Sequence, residues 1–286
     1  MKTHRRLSFL LAALMMPLAG NAFDLGNINL NRVGSVLKNV QEANREVPEK
    51  EEVAIGEQMA STLLGGAPLV HNAKLEKYVN DVGRWLALQT ERPDLVWHFG
   101  VLDSEAVNAF AAPGGYIFIT KGLLKRLNNE AELAGVLSHE IAHVLQKHHL
   151  KAIQKNASYG AFAEVATMAV EANSDGAKSQ ILANLVQGTK ELYARGLDKD
   201  DEHEADRMGI VIAARGGYDP FALPEVIHDL EKLNPKDPGA ALLFETHPVP
   251  VDRLKAIDQA AGDKLDAYGS QPTLAARFLK HKPNGK

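Results

Sequence analysis

The stretch "NNEAELAGVLSHEIAHVLQKHH", residues 128–149, decides how the chain reads. Asn128 and Asn129 can cap a helix, Glu130 and Glu132 fall in its first turn, and the apolar residues that follow recur at helical spacing. Five ionisable side chains interrupt this run: His139, Glu140, His143, His148 and His149. His139 and His143 are four positions apart, about 400° of rotation and about 6 Å of rise, so both imidazoles leave one face and can share a metal ion. Glu140 is turned by about 100° from His139, which puts its carboxylate beside such an ion, where a base for a water molecule is useful. Buried histidines without partners would each cost roughly 1–3 kcal/mol, and coordination is one way to satisfy them. The alternative is a pair of histidines satisfied within the core or at the surface. His148 and His149, five and six positions beyond His143, share its face poorly and read as a solvated helix end.

A catalytic zinc takes a third protein ligand and keeps one position open. Downstream, "DDEHEAD" (200–206) lies on another expected helix that stops at Gly216 and Gly217. Glu202 and Asp206 share a face there. Glu202 can reach the metal while Asp206 accepts a hydrogen bond from a ligating imidazole and fixes its tautomer; Glu204 lies on another face. By composition alone the same acids equally suit a solvated helix start.

Upstream, "AKLEKYVNDVGRWLALQ" (73–89) places Leu75, Tyr78, Val79, Val82 and Leu86 on one core-facing stripe, after a helical pattern over 49–64. Then the period changes to that of strands in "LVWHFGVLD" (95–103) and "GGYIFITKG" (114–122), joined by the turn-rich "NAFAAPGG" (108–115). The expected fold class is α+β, mostly helical, with a small β-sheet beside the HExxH helix. If the strand around "AAPGGYIFIT" is an exposed edge, it can add a peptide by main-chain hydrogen bonds, with Asn108, Gly114, Gly115 and Tyr116 as substrate-binding candidates. An ordinary buried strand with a Pro-Gly turn is the other reading.

Taken together, "HEIAH", "EHEAD", the preceding "NAFAAPGG" and the later "THPVPVDRL" (246–254) resemble the gluzincin-type zinc metallopeptidase family that contains the CaaX prenyl endopeptidase, HtpX and the Oma protease. The likeness runs from about Glu51 to Ala260 and is nearest to soluble periplasmic members such as BepA and LoiP. It implies one zinc ion on His139, His143 and Glu202, Glu140 as the base, and Asp206 behind the ligands. It also implies that His247 can approach the zinc as a fourth ligand and hold the enzyme latent. Read from the residues, His247 precedes Pro248 and so occupies an extended turn, where it could instead stabilise an oxyanion. Arg253 is a candidate for polarising a carbonyl or clamping a carboxylate, and a plain ion pair at a helix start serves equally. The implied activity is that of a zinc-dependent metalloendopeptidase acting on misfolded or unassembled envelope proteins. A chaperone-like factor for outer-membrane assembly and quality control, with a mostly latent zinc site, is the alternative.

Residues 1–22 combine Lys2, Arg5 and Arg6 with an apolar run and small residues. They are expected to be a signal peptide cleaved after Ala22, which places the protein in the periplasm. An N-terminal segment (23–48), the metallopeptidase domain (49–262) and a polar, loosely held C-terminal tail (263–286) follow, with no internal repeat. The chain has no cysteine, so disulfides, thiolate ligands and thiol nucleophiles are excluded. A net charge of −4 with scattered Lys and Arg announces no nucleic-acid partner. The Ala-rich residues 157–172 leave peripheral membrane contact open, and polypeptides are the expected partners.

Overall fold

The HExxH stretch forms a helix because its start is well specified. The computed structural model describes residues 46–155, 193, 196–247 and 250–283. The signal peptide, most of the N-terminal segment and residues 157–172 lie outside these. Chain order begins with α1 (Glu49–Gly66), α2 (Ala73–Ala87), β1 (His98–Leu102), β2 (Ala109–Ala112), β3 (Tyr116–Thr120), the short α3 (Lys121–Leu124) and α4 (Glu130–Leu145). It continues with α5 (His148–Lys155), α6 (Lys199–Arg215), α7 (Ala222–Glu231), α8 (Pro238–Thr246), α9 (Pro250–Ala261), a 3₁₀ turn (Gly262–Tyr268) and α10 (Ala275–Leu279). Among the described residues no helix is long and apolar enough to cross a membrane.

Asn129 caps α4: its Oδ1 accepts from the Glu132 amide at 2.9 Å, and the Glu132 carboxylate accepts in return from Asn129 Nδ2 at 2.7 Å. This reciprocal pair satisfies donors that every helix start leaves open. From Glu130 to Val144 every residue of α4 is buried. A helix buried all round belongs at the centre of a domain, and α2, α6, α7 and the sheet surround it. The α2 stripe enters the core at Leu75, Tyr78, Val79, Val82 and Leu86, the five positions the spacing predicts.

The sheet corrects the sequence reading. It has three strands in the order β1-β3-β2, with β1 parallel and β2 antiparallel to β3. The segment expected to be a turn, "AFAA", is itself a strand, and the "GGYIFIT" strand expected at an edge lies in the middle. Alanine carries little strand preference, so the pattern gave no sign of β2. Gly114 and Gly115 make the β2–β3 turn with φ of 75° and 96°, a region that favours glycine. A Cβ on Gly114 would lie 2.6 Å from Val53 Cα, so this turn is buried under α1.

The two edges are treated differently. On β1, Asn80 of α2 donates to Phe99 O at 2.6 Å, Glu76 accepts from the Val101 amide at 3.1 Å, and Leu69 bridges to Leu102. That edge is closed, the usual protection against stray pairing. The outer edge of β2 meets side chains: Tyr193 Oη donates to Ala111 O at 2.8 Å, and Asn108 Oδ1 accepts from the Ala109 amide at 2.9 Å. β2 is therefore an edge strand met by side chains rather than by another strand, its four residues buried, and it packs directly on α4.

The C-terminal segment is not the loose tail its polar composition suggests. Phe278 is fully buried in the main core, His281 stacks on Tyr78 with ring centroids 4.2 Å apart, and Arg277 pairs with the buried Glu130. Glu130 also accepts from Tyr78 Oη at 2.8 Å and Tyr218 Oη at 2.9 Å.

Candidate metal centre and active site

His139 and His143 leave α4 on the face that meets α6, and their Nε2 atoms stand 3.0 Å apart. Glu202 of α6 reaches both: one carboxylate oxygen lies 3.6 Å from His139 Nε2 and the other 3.3 Å from His143 Nε2. His247, just beyond the end of α8, brings its Nε2 to 4.0 Å from Glu202 Oε2 and 4.0 Å from Glu140 Oε1. One ligand atom from each of His139, His143, Glu202 and His247 falls within 4.8 Å of all the others. Both Glu202 oxygens are buried and accept no hydrogen bond. Orphaned carboxylate oxygens are costly, and a divalent cation among three imidazole nitrogens satisfies them together, so this donor set fits a metal.

The far nitrogens of two imidazoles show how the near ones are left for a metal. His139 Nδ1 is 3.0 Å from Asp206 Oδ1, an acceptor only, so His139 carries a proton there and its Nε2 is the nitrogen that a metal can use. His247 Nδ1 is 2.8 Å from Thr246 Oγ1. The single hydroxyl proton of Thr246 is directed at Leu242 O, 2.9 Å away, so the hydroxyl accepts from His247 and likewise leaves its Nε2 bare. Asn108 Nδ2 also donates to Thr246 Oγ1, at 3.3 Å. His143 Nδ1 meets the Nδ1 of another imidazole, His148, at 2.9 Å.

Electrostatics follow from burial and neighbours. Burial and the nearby Glu202 push the Glu140 carboxyl up to about 7, opposed by His139 and Arg253. Burial lowers His143 to about 3 and His247 to about 4, keeping both neutral. For His139 burial acts the same way, but Asp206, which accepts at Nδ1, and the neighbouring Glu202 carboxylate outweigh it and raise it to about 9 in the metal-free protein, so a metal would take the place of a proton on Nε2. Asp206 resists the upward push of burial because Arg253 and His139 hold it well below the carboxylate range.

The structure brings His139, Glu140, His143, Glu202, Asp206, His247 and Arg253 together. The guanidinium of Arg253 is buried and committed to Asp206, with Nε donating at 2.8 Å and NH2 forming a second bond, so it acts through the acid. Asn108 is present but fully buried, serving Thr246 and Ala109. Gly114, Gly115 and Tyr116 lie at the far end of the sheet, where Tyr116 stacks on His98. A cavity of about 550 Å³ also lies elsewhere, lined by Tyr78, Trp85, Tyr218 and Arg277 among others. Two narrow recesses flank Glu140 and His247 instead, one reaching Tyr193 and His149, the other reaching Val136 and Leu223.

His148 and His149 overturn the reading of a solvated helix end, since both are buried. The helix ends at Leu145, and Lys147 takes φ of 55°, a left-handed conformation unusual for a side-chain-bearing residue. The chain reverses there, and His148 opens α5 folded back on His143. Rotation counted along one continuous helix could not reveal this. Thr246 and Tyr193 had no sequence signal at all.

Comparison with known proteins agrees with this geometry. The model of peptidase family M48 matches residues 73–261. The chain is 31% identical over 210 residues to the beta-barrel assembly-enhancing protease of Escherichia coli O157:H7, covering 71% of this chain and 42% of that protein. The protein of the same name in Yersinia pestis is 32% identical over 211 residues with the same coverage. The mitochondrial metalloendopeptidase OMA1 of Arabidopsis thaliana is 32% identical over 167 residues, 57% of this chain and 31% of the relative. The chain thus spans about two fifths of the length of the assembly-enhancing relatives. The matched span holds all four clustered ligand residues, and the chain belongs to peptidase family M48.

Proposed function

We propose that the protein is a zinc-dependent metalloendopeptidase of the periplasm that hydrolyses misfolded or unassembled envelope proteins. The observation that carries this reading is Glu140: a buried carboxyl set beside a three-imidazole, one-carboxylate cluster, 4.0 Å from His247, and lining one recess with Ala109 and Ala111 of β2. His139, His143 and Glu202 would hold the metal, and when bound it supplies Lewis acidity to a water molecule and to the scissile carbonyl. Glu140 takes the proton from that water as its oxygen bonds to the carbonyl carbon. The same carboxyl then delivers the proton to the amine nitrogen as the C–N bond breaks. The substrate backbone would pair with Ala109 and Ala111, whose main-chain groups face away from β3, displacing the Asn108 and Tyr193 contacts. Main-chain pairing does not read side chains, which suits unfolded polypeptides. Zinc rather than another divalent ion is favoured by the His, His, Glu donor set. The periplasmic placement rests on the signal-peptide pattern, and the substrate class on the printed names of the relatives.

His247 supports a second reading, a chaperone-like assembly factor whose site is mostly latent, because its bare Nε2 already stands within the cluster. Casein degradation by the zinc-loaded protein separates the two. Cleavage by wild type that is lost in Glu140→Gln supports the peptidase. No cleavage by wild type but cleavage by His247→Ala supports latency, and equal cleavage by wild type and Glu140→Gln would remove Glu140 from the mechanism.

A further inference from the structure

The contact between His143 Nδ1 and His148 Nδ1 poses a question of proton placement. The two nitrogens are 2.9 Å apart, so one carries the hydrogen and the other offers a lone pair. The far side of His148 settles which. Its Nε2 faces two carboxylates of α6, Glu204 Oε2 at 3.3 Å and Asp201 Oδ1 at 3.6 Å. A bare nitrogen there would set a lone pair against two anionic oxygens, so the hydrogen of His148 belongs on Nε2 and its Nδ1 is the acceptor. It follows that His143 carries its own hydrogen on Nδ1 and leaves Nε2 bare, facing Glu202 and His139.

We infer that His148, steered by Glu204 and Asp201, is a positioning residue that fixes His143 in its metal-binding tautomer through a relay running from the protein surface to the metal centre. The Glu204 side chain is 42% exposed and that of Asp201 23%, whereas His148 is fully buried, so the relay begins in solvent and ends inside the core. One helix thereby governs the whole first set of ligands. α6 supplies Glu202 itself, orients His139 through Asp206, and orients His143 through Asp201, Glu204 and the interposed His148. The reversal at Lys147 is what turns His148 inward. The inference rests on the proposed metal reading of the cluster, because only a cation held between His143 Nε2 and Glu202, 3.3 Å apart, lets that nitrogen stay bare beside a carboxylate.

The test measures zinc affinity by competition with a chromophoric chelator and reads the histidine tautomers by ¹⁵N NMR of the zinc-loaded protein. His148→Leu, which offers no acceptor, should weaken zinc binding about 10- to 100-fold, the loss usual for removal of such an outer partner. His148→Asn, whose Oδ1 can stand where Nδ1 stood, should recover most of it. The surface double variant Asp201→Ala/Glu204→Ala should weaken binding in the same direction, and should have little further effect once His148 is Leu. If His148→Leu fails to fold, the surface variant carries the test alone, since both of its sites lie outside the core. Wild-type zinc affinity in His148→Leu, or a His143 ring protonated on Nε2 in the wild-type spectrum, would overturn the inference. A wild-type protein that binds no zinc would instead remove the metal reading and the relay with it.

Discussion

Gly209 of α6 lies against the backbone of His139 so closely that a Cβ at that position would stand 2.9 Å from His139 N and 3.0 Å from His139 Cα. Gly209 shares its helix face with Glu202, Ala205 and Asp206, all buried. The missing side chain lets α6 approach α4 until a carboxylate from one helix reaches two imidazoles of the other. Gly209→Ala would meet backbone atoms, which cannot rotate aside, so the helices must separate. Its helix-propensity gain of up to about 1 kcal/mol should be outweighed by an overpacking cost of roughly 1–3 kcal/mol. Urea denaturation should show a net loss of stability, and chelator competition should show weaker zinc binding. A stabilised variant with unchanged zinc affinity would mean that the close approach has no role in the site.

The hydroxyl of Thr246 holds His247 by its Nδ1 and receives Asn108 at the same oxygen. Thr246→Val keeps the shape and deletes the acceptor, leaving the buried Asn108 amide and the His247 N–H without it, at a cost of roughly 1–3 kcal/mol. If His247 restrains the enzyme, its release should raise casein cleavage above wild type while thermal stability falls. Stability and cleavage both unchanged would show that the hydroxyl does not hold His247.

Much of this site could be read from spacing alone because helices impose a period. The His139–His143 and Glu202–Asp206 pairs follow from residues four apart sharing a face, and the α2 stripe follows from the same rule. What could not be read depends on events without a period. β2 is made of alanine and phenylalanine rather than β-branched residues, so its existence and its place at the sheet edge were invisible. The reversal at Lys147 breaks the helix that the sequence seemed to continue, which is why His148 was placed in solvent. Thr246 comes from the end of α8 with no local pattern to announce it, whereas Arg253 was legible as a candidate and only its commitment to Asp206, set by α9 packing on α6, was not.

Packing of the C-terminal segment is directly testable. Phe278→Ala removes a fully buried aromatic ring from the main core and should destabilise the protein by roughly 3–5 kcal/mol, measured by urea unfolding. A loss within about 0.5 kcal/mol, typical of surface substitutions, would restore the reading of a loose tail.

Glu140 makes an opposite prediction, in which removing a functional group adds stability. Its carboxyl rises from an ordinary value of 4.5 to about 7 in the folded, metal-free protein, through burial first and the charge of Glu202 second. Between those two pH values the folded state binds more protons at this site than the unfolded chain does. Stability therefore falls as pH rises from 4.5 to about 7, the reverse of an ordinary salt-bridged acid. At and above neutrality the penalty is fully present and amounts to on the order of 2–4 kcal/mol. Glu140→Gln has no such titration, so the metal-free variant should be the more stable protein at pH 8, with the advantage shrinking toward zero near pH 4. Urea unfolding of both proteins in chelator across this range measures the difference. A gap independent of pH would mean that Glu140 is ionised in the folded state at little cost, and that its use as a base near neutral pH owes nothing to its burial.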